Sequence, residues 1–306
     1  MNTKYNLITI LGATATGKTT LAANLAYILG SEIISGDSRQ VYRTMNIGTG
    51  KDYEDYKIEN KAIKYHLIDI KNPGYQYSVF EFQNDFISVF KNLSDMKILP
   101  ILCGGTGLYI ESVLKEYQLI EVPKNAELRQ NLEEKSHNEL IEILSSMKKL
   151  HNTTDTKNAE NLIRAIEIES FNKSNPKLIL EFPEINSLNI GINYDRESRR
   201  KRITERLESR MKQGMIEEVK SILESGVSEE SLIAYGLEYK YITYYLVGKL
   251  SYDNMFAKLN TEIHRFAKRQ MTWFRRMQKN GTKIHWIDGY TPLEDKIHYV
   301  KDLLKK

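Results

Sequence analysis

The chain has 306 residues, 41% hydrophobic and 27% charged, with 44 basic and 40 acidic side chains, enough for about two domains with a sizeable core. That balance excludes a disordered or fibrous chain, and the single cysteine, Cys103, excludes an internal disulfide or a cysteine-based metal cluster and fits a reducing compartment. The net charge of +4 is unevenly spread: residues 1–120 carry 12 basic and 12 acidic groups, 121–195 carry 9 and 13, and 196–306 carry 23 and 15.

The chain opens with YNLITIL at 5–11, a β-branched run that predicts a buried strand. It is too short for a signal-peptide core or a membrane span, which makes a soluble cytoplasmic protein without membrane contact the default expectation. A glycine-rich stretch and the helical pattern TTLAANLAYIL follow. EIIS then predicts a second buried strand ending in a Gly36-Asp37 turn, and HLIDI at 66–70 and ILPILCGG at 98–105 predict two more, with the helical SVFEFQNDFISVFKNL between them. Strands alternating with helices imply a parallel sheet covered on both faces.

From about 125 to 175 the pattern is wholly helical and polar, as expected of a helical insertion, and LNIGINYD at 188–195 returns to the sheet. RRKRITERLESRMKQGMIEEVKSILESG and SYDNMFAKLNTEIHRFAKRQMTWFRRM predict helices, with KIHWID at 283–288 as a last short strand. The expected fold is therefore α/β, a P-loop NTPase-like parallel sheet flanked by helices, in which residues 1–120 and 188–306 form the core and 121–187 an all-helical insertion domain.

Gly12-Ala13-Thr14-Ala15-Thr16-Gly17-Lys18-Thr19 satisfies GxxxxGK[ST] between a predicted strand and a predicted helix. Glycines let backbone N–H groups converge on phosphate oxygens, the helix N-terminus adds partial positive charge, Lys18 adds a full charge, and Thr19 can hold Mg²⁺. The alternative is an ordinary glycine-rich turn. The motif predicts a diphosphate or triphosphate ligand and leaves the reaction open. Asp69, at the end of HLIDI, reads either as a Mg²⁺-holding carboxylate or as a turn acid.

Two basic windows stand out in the last third. Residues 265–283 hold seven Lys and Arg and no acid, and 196–212 hold eight basic and three acidic residues. Such windows suit a phosphate backbone. Arg202, Arg206 and Arg210 recur every four residues and share a helical face, reading either as anion ligands or as a solvated face paired with nearby glutamates. Trp273 and Phe274, beside Arg275 and Arg276, read as base-stacking rings or as core.

Ser35-Gly36-Asp37-Ser38-Arg39-Gln40-Val41-Tyr42-Arg43, Met45 to Lys51, GGTGLY at 104–109 and AKRQMTWFR at 267–275 together closely resemble the tRNA dimethylallyltransferase (tRNA isopentenyltransferase) family of bacterial type, in order and spacing over essentially the whole chain. The resemblance implies attack by N6 of the adenosine immediately 3′ of the anticodon on C1 of dimethylallyl diphosphate, with Mg²⁺ as cofactor and diphosphate released. It implies that the P-loop grips this donor rather than ATP, and that Asp37 is the general base. By the same resemblance Thr106 lines the channel where the substrates meet, and Arg206, with Lys18 and Thr19-bound Mg²⁺, neutralises the leaving group.

The resemblance also implies tRNA contacts from Asp37, Ser38, Arg39 and Gln40, from Thr106, from Arg129 and the segment Glu160 to Arg164 in the insertion, from Tyr235 to Lys240, and from Lys268 and Arg269. The partner is then the anticodon stem-loop of one tRNA held by a monomer. Departures are Ala13 where the family usually has proline, Tyr235 where many members carry arginine, and Glu238 where they carry glycine. Two other readings use the same features. A small-molecule P-loop kinase shares the strand, loop and helix but leaves the basic windows unused; an RNA-binding module would leave Lys18, Thr19 and Asp37 without a purpose.

Overall fold

The computed structural model describes residues 3–148, 158–175 and 181–305. Its strands are β1 (Leu7–Gly12), β2 (Ile33–Ser35), the antiparallel hairpin β3 (Lys57–Ile58) and β4 (Lys61–Ala62), β5 (Tyr65–His66), β6 (Ile101–Gly104), β7 (Ser187–Asn193) and β8 (His285–Asp288). Six of them form one parallel sheet in the order β5-β2-β6-β1-β7-β8. The apolar strand β1 is buried along its whole length between β6 and β7, as expected for a central strand covered on both faces. From β1 the chain runs through β2, β5 and β6 on one side and returns through β7 and β8 on the other, so the carboxyl ends of the central strands open onto a crevice at a topological switch point.

The helices are α1 (Lys18–Leu29), α2 (Val79–Asp95), α3 (Gly107–Leu114), α4 (Ala126–Glu133), α5 (His137–Met147), α6 (Ala159–Ser174), α7 (Arg196–Lys212), α8 (Met215–Glu224), α9 (Glu229–Ala234), α10 (Leu237–Leu246), α11 (Tyr252–Lys279) and α12 (Leu293–Lys305). Local chemistry sets their ends. Ser78 and Glu81 close a capping box at the start of α2. Gly214, at φ 97°, separates α7 from α8 in a stretch whose periodicity alone gives no break.

The chain forms two compact units. One contains the sheet, with residues up to Tyr117 and from Phe182 onward; the other is Gln118–Glu181, whose α4, α5 and α6 pack on Leu132, Leu140, Leu144, Leu162 and Ile166. Among the described residues no helix is long and apolar enough to cross a membrane.

HLIDI is a strand only at its first residue. Leu67 and Asp69 take φ values of 62° and 57°, which end the extended backbone. Asp69 is drawn aside by Lys51, 2.5 Å from its Oδ1, and by the Tyr53 hydroxyl, 2.5 Å from its Oδ2, so it is a loop-fixing acid outside the crevice rather than a Mg²⁺ carboxylate.

Candidate active site

The loop between β1 and α1 turns on glycine. Gly12 has φ 151°, and a Cβ there would lie 2.7 Å from the Ile192 carbonyl of β7; Gly17, at φ 80°, starts α1 without a side-chain cap. The first N–H groups of α1 therefore remain available to an anion. The Lys18 ammonium folds back onto the Ala13 carbonyl at 2.7 Å, and burial, reinforced by Arg206, lowers its pKa to about 8. An anion entering the loop would raise that pKa again and hold Lys18 fully charged. The Thr16 hydroxyl closes the turn on the same carbonyl at 2.9 Å.

Side chains from distant elements brace this loop. Gln270 of α11 accepts the Thr14 N–H at 2.9 Å and donates to the Gly105 carbonyl at 2.8 Å, clamping the loop to the turn after β6. Arg202 of α7 donates to the Ala15 carbonyl at 2.9 Å and lies over the Tyr194 ring, while Arg206 donates to the Thr14 hydroxyl. Of the three arginines on this face, Arg206 and Arg210 line the crevice and Arg202 supports the loop from behind.

The crevice is a cleft of about 560 Å³ lined by Lys18, Thr19, Asp37, Ser38, Arg39, Gln40, Thr106, Arg206, Arg210 and Arg269, among others. Asp37 follows β2 in an Asx turn, its Oδ1 accepting the Arg39 N–H at 2.9 Å, and its other carboxylate oxygen has no protein donor among the described residues. Thr106 Oγ1 accepts the Ser38 N–H at 3.0 Å, joining the turns after β2 and β6. Gln40 accepts the Ser35 hydroxyl at 2.9 Å and donates to the Gly50 carbonyl at 3.1 Å. Burial, with Arg210 alongside, lowers the Arg206 pKa to about 10.

Thr19 and Asp37 both line the cleft, and the Thr19 hydroxyl has no hydrogen-bond partner among the described residues. Hydroxyl, carboxylate and phosphate oxygens are the ligands a hard divalent cation takes, and Mg²⁺ needs few from protein. No cluster of three or more His, Cys, Asp or Glu competes for that role among the described residues.

The match to known proteins is extensive. The family model described as IPP transferase covers residues 40–277, and one described as isopentenyl transferase covers 5–67. A tRNA dimethylallyltransferase of Bacteroides fragilis is 57% identical over 302 residues, 99% of each chain, and one of Phocaeicola vulgatus is 56% identical over 98% of each. The chain belongs to the IPP transferase family. The crystal structure of the Bacillus halodurans tRNA isopentenylpyrophosphate transferase superposes with a TM-score of 0.72 at 31% identity, over 99% of this chain and 96% of that one. A eukaryotic dimethylallyltransferase acting on tRNA has the same fold, with a TM-score of 0.78 at 20% identity, over 98% of this chain and 79% of that one.

In this IPP transferase the cleft also takes residues that the sequence reading left unassigned. Asp52 holds Arg210 at 3.3 Å, and Gly48 to Gly50 form one wall. Glu218 sets that wall by accepting the consecutive N–H groups of Asn46, Ile47 and Gly48 at 2.8, 2.7 and 3.0 Å. Trp273 and Phe274 divide: Phe274 is fully buried core, while Trp273 lines the cleft with Nε1 buried and unpaired and the Arg276 guanidinium 4.1 Å from its ring. Gly107 is required by Trp273, since a Cβ there would meet the indole at 2.4 Å.

Tyr235 is buried, packs on Tyr42, donates to the Tyr75 carbonyl and accepts the Gly74 N–H, so it faces inward where arginine would reach out. Glu238 enters the cleft, and burial raises its pKa. Lys268 is exposed outside the cleft lining. In the helical unit, Arg129 binds the buried Glu167 through Nε at 3.0 Å and Nη2 at 2.8 Å, and Arg164 binds Glu167 and the Val122 carbonyl. Both arginines keep part of their side chains exposed.

Proposed function

We propose that this cleft transfers the dimethylallyl group of dimethylallyl diphosphate to N6 of the adenosine immediately 3′ of the anticodon, giving N6-(dimethylallyl)adenosine and diphosphate. The observation that carries the reading is the meeting of two chemistries in one cleft, the Lys18 anion loop and the Asp37 carboxylate. The sheet and first loop serve as a P-loop NTPase-like core turned to a prenyl diphosphate.

Gly12 to Thr19 cradle the donor's diphosphate through backbone N–H groups and Lys18. As the bond from N6 to C1 forms and the bond from C1 to the diphosphate oxygen breaks, Asp37 accepts the N6 proton, and Arg206 with Lys18 stabilises the charge gathering on the leaving group. Thr19 would hold Mg²⁺, which supplies further charge neutralisation on the diphosphate. Thr106 positions the Ser38 backbone beside the reacting base.

The target base must leave its stack to enter the cleft. Asp37 to Gln40 and Thr106 then face the extruded adenosine and its neighbours, Lys268 and Arg269 face phosphates, and the insertion at 121–187 meets the anticodon stem through the exposed edges of Arg129 and Arg164. One cytoplasmic monomer acts on one stem-loop.

The test is incubation with unmodified tRNA, labelled dimethylallyl diphosphate and Mg²⁺, followed by nuclease digestion. Labelled N6-(dimethylallyl)adenosine is the expected product. Its absence, with phosphate from labelled ATP entering a small metabolite instead, would install the kinase reading.

A further inference from the structure

Outside the cleft, α10 and α11 enclose a second concavity of about 720 Å³ whose chemistry the proposed reaction does not use. Lys240, Tyr241 and Tyr244 come from one face of α10, Lys249 from the turn after it, and Lys258 and Arg265 from the facing side of α11. Glu262 is the one acid in the lining, and it is neutralised by Arg265 at 2.5 Å. Lys249 has only a solvent-exposed contact to Glu229 at 3.4 Å, while Lys240 and Lys258 have no carboxylate partner among the described residues. The rings of Tyr241 and Tyr244 meet edge to face at 6.2 Å, with the Lys240 ammonium 5.8 and 5.9 Å from their centroids and that of Lys249 5.8 Å from Tyr244.

Flat apolar faces interleaved with cations match an unstacked nucleic-acid strand, which alternates base faces with phosphates. An acidic peptide would use the cations but leave the rings without flat partners. The groove neighbours the cleft, and Lys240 contributes to the lining of both.

We infer that the α10–α11 groove is a second RNA subsite, which holds nucleotides flanking the target adenosine on the same strand by stacking on Tyr241 and Tyr244 and by phosphate contacts to Lys249 and Lys258. The inference rests on the transfer to tRNA proposed above. Extruding one base unstacks its neighbours, and the groove gives them a surface to occupy.

The experiment compares wild type with the surface variant Lys249→Gln/Lys258→Gln and with Tyr244→Leu in prenylation of unmodified tRNA across a salt series. Both positions of the double variant lie away from the cleft lining, and an exposed contact such as Lys249 to Glu229 contributes little to folding. The double variant is expected to raise the KM for tRNA about 5- to 20-fold near physiological salt and to reduce the log-log salt slope by about 1.4 to 1.8, because two phosphates lose their cations. The kcat at saturating tRNA and the KM for dimethylallyl diphosphate should stay at wild-type values. Tyr244→Leu is expected to raise the KM for tRNA without changing the slope. An unchanged KM and slope in the double variant, with wild type active, would overturn the subsite and leave the groove to another anionic partner. An inactive wild type would instead overturn the underlying transfer reaction.

Discussion

Arg206 is charged, buried and bonded to the loop that holds the anion, so its removal separates binding from chemistry. Arg206→Ala is expected to lower kcat about 100-fold, the usual cost of losing one preorganised donor to a leaving group, and to change tRNA affinity little. Single-turnover rates with separate tRNA titrations check this; an effect confined to tRNA affinity would reassign Arg206 to the RNA backbone. Neighbouring Arg210 shows why residue roles were only partly legible. The four-residue repeat placed Arg202, Arg206 and Arg210 on one face, but the partners that separate their tasks, Ala15, Thr14 and Asp52, lie 187, 192 and 158 residues away in sequence. Glu218 was not singled out, and Gln270, though part of the matched AKRQ segment, was given no role, for the same reason: their work is done on backbone groups of distant loops.

At the scale of elements, local patterns carried the reading wherever the backbone obeys them. The glycine-rich loop, the flanking strand and helix, and the helical insertion follow from short-range spacing. HLIDI failed because two left-handed residues interrupt an apolar run, which composition does not reveal. The tyrosine-rich α10 and the closing α12 received no specific assignment. Their helical state depends on packing: α10 buries Tyr239 and Ile242, and α12 buries Val300 and Leu304.

In the helical unit the sequence suggested RNA contacts for Arg129 and Arg164, whereas the structure first gives both a folding task on Glu167. Burial pushes the Glu167 carboxyl up, but hydrogen bonds from Arg129, the Asn125 N–H and Arg164 prevail and hold its pKa at about 2 against an ordinary 4.5. A lowered acid contributes its stability fully above the unfolded value, so this contribution is lost as pH falls from 4.5 towards 2. Glu167→Gln is expected to cost about 2 to 4 kcal/mol at neutral pH. Hydrogen exchange confined to α4, α5 and α6 would detect it, and unchanged protection there would show the network to be dispensable.

For the whole molecule, the net charge of +4 is too mild by itself to point to nucleic acid, but its distribution does. The last third carries 23 basic against 15 acidic groups, and α11 runs from the α10 groove to the cleft with Arg265 and Arg269 on its way. Replacing Arg269 and Arg275 with glutamine should weaken tRNA binding and flatten its log-log salt slope by about 1.4 to 1.8. An unchanged slope would make that stretch structural.

The central claim is that one cleft binds the prenyl diphosphate and deprotonates the attacking amine, and Asp37→Ala tests it most directly. With enzyme in excess and donor saturating, rapid-quench measurement should show N6-(dimethylallyl)adenosine forming at least about 100-fold more slowly than in wild type, as expected on losing a general base. A tRNA titration of the same variant should give a near-normal dissociation constant. A near-normal rate of product formation would remove Asp37 as the base and contradict the account.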